Sequence, residues 1–133
     1  MENNEEIIIP DYEEELAEIL RSNLSDAEIL EQLDNYHEND IAGALELLTV
    51  EERKRLYHVL GAERVSEIFT YIDDVDDYIG ELNIQSAARV IENMDSDDAV
   101  DVLEELDEDE RKNILRLLDR ESREDIALIT SYE

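Results

Sequence analysis

The sequence predicts an all-α protein, a superhelical, solenoid-like stack of about ten short helices. Residues suited to begin a helix recur at every twelfth position along most of the chain. Within each interval, apolar residues follow the i, i+3, i+4, i+7 spacing of one helix face. We find no convincing strand. Helices of about nine or ten residues are marginal alone in water, so they must pack on one another.

The predicted helix starts form a regular series after a first helix near Asp11 to Ser22. The twelve-position step holds throughout, except that Asn83 follows Asp73 after a shorter step of ten positions. Capping-box spacing, with Glu three positions after the N-cap, supports the starts at Ser25, Thr49 and Asp107. The predicted N-cap residues are Ser25, His37, Thr49, Gly61, Asp73, Asn83, Asp95, Asp107 and Asp119.

The apolar stripe of each interval predicts the core. Gly80 interrupts the weakest interval, where the helical spacing is still kept. The predicted core residues are Ile29, Leu30, Leu33, Ile41, Ala44, Leu45, Leu48, Leu56, Tyr57, Leu60, Val65, Ile68, Phe69, Ile72, Val75, Tyr78, Ile79, Leu82, Ala87, Val90, Ile91, Met94, Ala99, Val102, Leu103, Leu106, Ile114, Leu115, Leu118, Ile126 and Ile129.

An internal repeat supports the solenoid prediction. The segment from Asp40 to Gly61 aligns without gaps with the segment from Asp98 to Asp119, with identical leucines, acids and an Arg-Lys pair. Stacked copies of one helical unit are typical of α-solenoids. The periodicity does not set the hand of the superhelix.

Composition limits the partners. The 133 residues predict one domain, residues 11–133, after an acidic N-terminal arm, residues 1–10. Forty acidic residues against 11 basic ones give a net charge of −29. We therefore expect no nucleic acid partner and no direct membrane contact, because the surface repels phosphate groups. The charge favours a cationic partner, which is a metal ion or a basic protein. Without cysteine there is no disulfide or thiolate site.

No pattern indicates an enzyme. Three glycines cannot supply a phosphate-binding loop, and His37 and His58 lack a nucleophile or a metal-binding neighbour. An EF-hand beginning at Asp95 fails because Val100 stands where glycine is required. The cluster from Asp73 to Asp77 is interpreted as capping and solvating a short helix. We expect the basic residues, Arg53-Lys54-Arg55, Arg111-Lys112, Arg116, Arg120 and Arg123, to pair with acids of neighbouring helices.

The segment from Glu92 to Glu110 contains eleven acidic side chains and no basic one. Two interpretations fit it. The acids cap helices, complement their dipoles and otherwise face water. Alternatively, Asp97 and Asp101, one helical turn apart, hold a hydrated divalent cation against a second surface. The repeat places Gly43 opposite Asp101, so the fold itself does not require this acid.

Three runs, Tyr36 to Ala42, Thr49 to Arg53 and Met94 to Leu103, identify a similarity to a known family. With the regular series of short helices, they resemble the N-terminal cytosolic domain of MgtE-type magnesium transporters, from about Ser22 to Glu133. Asn83-Ile84 departs from the proline-rich helix start common in that family. The acidity also exceeds the family norm.

The resemblance implies a Mg²⁺-sensing domain followed by paired CBS domains and a membrane pore. In the family, Mg²⁺ bound between these parts favours a closed pore, and the interface acids match Asp97, Asp101 and Glu67. The chain then looks like an excised piece at the cytoplasmic face of a homodimer in the cell membrane. Its own Mg²⁺ affinity is expected to be weak. The competing hypothesis is an acidic helical-repeat scaffold that binds a basic protein, without a metal role.

Overall fold

A computed structural model describes residues 12–130, without the side chains of residues 129 and 130. This part of the chain contains no strand, and the predicted all-α stack is confirmed. The acidic arm lies outside the described residues, so the domain boundary stays a prediction. The helices are α1 (Tyr12–Arg21), α2 (Asp26–Leu33), α3 (Glu38–Ala44), α4 (Val50–Leu60), α5 (Ala62–Phe69), α6 (Val75–Ile79), α7 (Ile84–Glu92), α8 (Ser96–Glu105), α9 (Glu108–Leu117) and α10 (Arg120–Thr130), with a 3₁₀ turn at Leu45–Leu47.

Local hydrogen bonds explain where most helices begin. Ser25 and Thr49 form complete capping boxes with the glutamates three positions further on. Asp107 accepts a hydrogen bond from the backbone N–H of Glu110 at 2.8 Å. The prediction that Asp73 caps a helix is wrong. Asp74 is the N-cap residue of α6, and its carbonyl accepts a hydrogen bond from the N–H of Asp77. α6 is the shortest of the ten helices that the structure describes.

Most helices pack on the helix two places along the chain. α1 contacts α3, α3 contacts α5, α5 contacts α7 and α7 contacts α9, while α6 contacts α8 and α8 contacts α10. The internal repeat is visible in this stack, because α2, α3, α4 and α5 begin 58 positions before α7, α8, α9 and α10, which is the offset between the two aligned segments. The fold is therefore two copies of one helical unit placed in series.

One continuous apolar core runs between the helices, and it contains most of the predicted residues. Leu30 is an exception, with 37% of its surface exposed, because it lies on the outer side of α2. Ile72, Tyr78, Leu82 and Met94 pack at the margin of the core. The side chain of Ile129 lies outside the described residues. Residues buried without having been predicted are Leu16, Ala17, Leu20, Ala42, Ala88 and Val100.

Arginines satisfy the carbonyl groups at the ends of several helices. A helix leaves its last carbonyls without intrahelical partners, and most of these ends lack a capping glycine. Five guanidinium groups fill that role by donating to such carbonyls. The pairs are Arg21 to Leu47, Arg53 to Leu45 and Leu48, Arg55 to Leu20, Arg64 to Leu33 and Arg89 to Leu117.

The ion pairs confirm only part of the sequence prediction. Arg53 pairs with Glu81, and Arg55 lies 3.4 Å from a carboxylate oxygen of Asp26, both on other elements. For two basic residues the predicted location of the partner is wrong. Lys112 and Arg120 meet acids of their own helices, Glu108 and Glu124, since these lie one turn away on the same face.

Arg53 has the most enclosed of these positions. Its guanidinium donates hydrogen bonds to the carboxylate of Glu81 and to the carbonyls of Leu45 and Leu48, the last two at 3.0 and 2.6 Å. It also lies 5.4 Å from the ring centroid of Tyr78. The side chains of Arg53 and Glu81 are 13% and 14% exposed. Such a forked set of donors cannot be reproduced by a lysine ammonium.

Arg53→Lys is therefore expected to lower the free energy of unfolding by about 2 kcal/mol, because charged hydrogen bonds to buried acceptors are lost. The matched control is Arg123→Lys, the same substitution at an exposed position, with an expected change within about 0.5 kcal/mol. Urea unfolding followed by circular dichroism measures both. Equal effects would contradict the assigned role of Arg53.

Candidate functional site

A cleft of about 200 Å³ opens between the end of α5, α6 and α8. Its apolar lining comes from the core side of these helices, including Phe69, Val75 and Val102. Its acidic lining consists of Asp73, Asp76, Asp98, Asp101 and Glu105, and we call this site the acidic cleft.

The three predicted metal-binding residues lie on α5 and α8. Asp101 lines the acidic cleft. Asp97 is exposed in the first turn of α8 and is not part of the lining, although it lies one turn from Asp101. Glu67 is exposed on α5 and also lies outside the lining. Among the described residues the three acids do not form a group that could hold a metal ion by itself, and their role in Mg²⁺ binding stays a prediction.

Sequence reasoning missed the acids that accompany Asp101. Asp98, Asp101 and Glu105 follow i, i+3, i+7 spacing, which puts them on one face of α8 next to its buried stripe. This spacing could have been read from the sequence. The approach of Asp76 from α6 could not have been predicted, because the sequence does not reveal which helices are neighbours.

Repulsion between carboxylates dominates the electrostatics of the cleft. The nearby charge of Asp76 raises the pKa of Glu105, with smaller contributions from desolvation and from a hydrogen bond between the two carboxyl groups. Partial burial, followed by the charges of Asp107 and Asp76, raises the pKa of Glu110. Asp76 thus faces acids of both α8 and α9. A cation in this region would lower the cost of keeping these groups ionised.

No three His, Cys, Asp or Glu side chains among the described residues are grouped so that they could hold a metal ion. The acidic surface can still supply part of a coordination shell. Mg²⁺ keeps several water ligands and commonly uses one or two protein carboxylates. A second acidic surface would have to complete such a site.

The two repeats differ at the position of Asp101. The equivalent residue of α3 is Gly43, and a Cβ atom there would lie 2.5 Å from a carboxylate oxygen of Glu13 on α1. That oxygen is the end of an exposed side chain that can move, so an aspartate at this position would meet charge repulsion and not a steric block. In the second unit α6 packs on α8 in the place of α1 and is half its length, and Asp101 is exposed.

These features define a class of protein, an α-helical repeat domain with a strongly electronegative surface. The family model described as the MgtE intracellular N domain matches residues 36–133. The chain belongs to that family.

A solved structure supports the assignment. The fold is similar to that in the crystal structure of the soluble part of a magnesium transporter, with a TM-score of 0.81 and 27% sequence identity. The match covers 92% of this chain and 49% of the other, so this chain spans about half its length. No curated protein sequence matches. Within residues 12–130, no helix has the length and apolar character needed to cross a membrane.

The raised pKa of Glu105 predicts a pH-dependent gain in stability for Glu105→Gln. The folded protein takes up this proton at a higher pH than the unfolded chain, whose glutamate titrates near 4.5. Repulsion therefore costs stability at neutral pH, and stability is recovered as the pH falls toward 4.5. We expect the variant to melt above the wild type at pH 7.5, with a smaller difference at pH 5.0.

Glu104→Gln is the matched control, since it makes the same charge change at an exposed site on the same helix. Thermal unfolding followed by circular dichroism at both pH values compares the variants. A gain at position 105 no larger than that at position 104 would show that Asp76 and Glu105 do not interact as described.

Proposed function

We propose that this chain is the cytosolic Mg²⁺-sensing domain of a magnesium transporter. Membership of the MgtE intracellular N domain family carries the proposal, and the likeness to the soluble part of a magnesium transporter supports it. Both findings favour this function over a free-standing acidic scaffold. We expect no catalytic activity from the chain.

The proposed mechanism is ion bridging between two acidic surfaces. Asp97 and Asp101 on α8 and Glu67 on α5 are exposed and offer carboxylates to hydrated Mg²⁺. CBS domains later in the same polypeptide supply the opposing surface. Without cations the surfaces repel, because this chain alone carries a net charge of −29. Ions that bind between them stabilise the compact arrangement.

Gating then follows from a difference in affinity. Mg²⁺ bound between the surfaces is held more tightly in the compact state, so a rise in its concentration shifts the equilibrium toward that state. The compact state is the one with the closed pore. The complete protein is proposed to be a homodimer in the cell membrane, with this domain at the cytoplasmic face.

This function predicts different Mg²⁺ responses from the chain and from a longer protein that includes the following CBS domains. We expect the chain alone to bind Mg²⁺ weakly, on the order of millimolar. The longer protein should become more compact on Mg²⁺ addition, as measured by small-angle X-ray scattering. Asp97→Asn/Asp101→Asn should raise the Mg²⁺ concentration at the midpoint roughly tenfold.

The matched control is Glu121→Gln/Asp125→Asn, which neutralises two exposed acids at the same one-turn spacing on α10. Its midpoint should stay close to that of the wild type. If neutralising Asp97 and Asp101 leaves the midpoint unchanged, these residues do not bind the bridging ion. If the longer protein does not respond to Mg²⁺ at all, the sensing function itself is wrong.

A further inference from the structure

A second and larger groove, of about 790 Å³, lies between α1 and α3 on one side and the segment joining α5 to α6 on the other. Three tyrosines line it, Tyr12, Tyr71 and Tyr78, and we call it the tyrosine groove. Tyr12 and Tyr71 are 44% and 55% exposed. The ring of Tyr12 packs edge-on against Tyr36, whereas the ring of Tyr71 is open to a ligand.

Every charged side chain that lines the tyrosine groove is acidic. The five carboxylates belong to Glu13, Asp40, Glu46, Asp73 and Asp74. Asp40 accepts a hydrogen bond from the backbone N–H of His37, which uses part of its capacity. The groove therefore combines exposed aromatic rings with a concentration of negative charge.

Most of that charge is not neutralised within the molecule. Among the ion pairs of residues 12–130, none includes Glu13, Glu46 or Asp73. Arginines elsewhere in the stack are used at helix ends. The carboxylates of the groove are therefore available to an external cation.

The tyrosine groove and the acidic cleft are neighbouring sites, and Asp73 lines both. Asp40 of the groove and Asp98 of the cleft are equivalent in the repeat. The rest of the two linings differs, because the groove has three tyrosines and has Gly43 where the cleft has Asp101. The two sites thus differ in the kind of cation they suit.

The molecule already contains an example of the chemistry that suits the groove. The guanidinium of Arg53 packs over the ring of Tyr78 while it pairs with Glu81. Aromatic faces attract guanidinium and ammonium groups, and a nearby carboxylate strengthens the attraction. Tyr71, with Asp73 close along the chain, offers the same combination to an incoming side chain.

We propose that the tyrosine groove binds an arginine- and lysine-rich segment of a partner protein. The five carboxylates come from α1, from α3 and the 3₁₀ turn after it, and from the segment joining α5 to α6, and they form no group that could hold a metal ion. Such a set suits several cationic side chains on one backbone. A second copy of this acidic chain would be repelled, as would nucleic acid. This inference does not depend on the proposed Mg²⁺ sensing, and its test is carried out in the presence of a chelator.

The test uses the full chain and a fluorescein-labelled decapeptide of alternating arginine and glycine, with binding measured by fluorescence anisotropy in physiological salt. Glu13→Gln/Glu46→Gln/Asp74→Asn, which leaves the lining of the acidic cleft unchanged, is expected to weaken binding at least about tenfold, because the central charge complement is lost. Glu31→Gln/Glu51→Gln/Glu121→Gln makes the same charge change at exposed positions outside the groove. This control should change binding less than about twofold.

Substitution of one ring tests the aromatic contribution. Tyr71→Leu is expected to weaken peptide binding about twofold to fivefold, whereas Tyr71→Phe, which keeps the ring, should bind like the wild type. Circular dichroism confirms that each variant is folded. Because Tyr71 is more than half exposed, neither change should disturb the core.

Several results would overturn the proposal. Equal weakening by the groove and control triple variants would show diffuse attraction to the acidic surface as a whole. Equal peptide affinities of the two Tyr71 variants would show that the Tyr71 ring makes no aromatic contact with the peptide. If spermine displaces the peptide at concentrations no higher than an unlabelled peptide requires, the groove binds free polyamines and not a protein segment. Self-association that the groove variant abolishes would identify a second copy as the occupant.

Discussion

The architecture depends on burial of apolar faces between helices that are too short to be stable alone. Every described helix is shorter than the roughly 12 to 15 residues at which an isolated helix becomes marginally stable. Packing on the helix two places along the chain provides the missing stability. Among the described side chains, residues 12–128, Ser66 is the one polar side chain that is fully buried, and its hydroxyl donates to the carbonyl of Glu63 at 2.6 Å. Charged groups are consequently confined to the surface and to helix ends.

Short helices also multiply helix ends, and this explains how the few basic residues are used. Each end leaves carbonyl groups that need donors. Five arginines bridge such carbonyls across the stack, and Arg53 and Arg64 are also held by acids of other elements. Cations occupied in this way cannot neutralise the outer surface. The repulsion between acidic side chains is therefore strongest in the clefts, where carboxylates from different helices meet.

The two repeats show how one scaffold can support different cation chemistry. In the second unit, the short helix α6 leaves the face of α8 open, and acids of both helices approach one another. In the first unit, the Glu13 side chain of α1 lies beside Gly43, and Tyr12 of α1 lines the groove. For a member of the MgtE intracellular N domain family, the open acidic face of α8 suits the ion bridging that we propose. The tyrosine groove beside α1 suits cationic side chains.

The sequence by itself determined the helical class, the regular series of helix starts, the repeat and the net charge, because capping and apolar spacing are local signals. It placed the caps at Ser25 and Thr49 correctly and missed by one position at Asp74, where the side chain makes no cap hydrogen bond. Only the tertiary structure decided which acids face each other. Asp76 and Glu105 are far apart in the sequence, and their contact arises from the packing of α6 on α8, which no local pattern encodes.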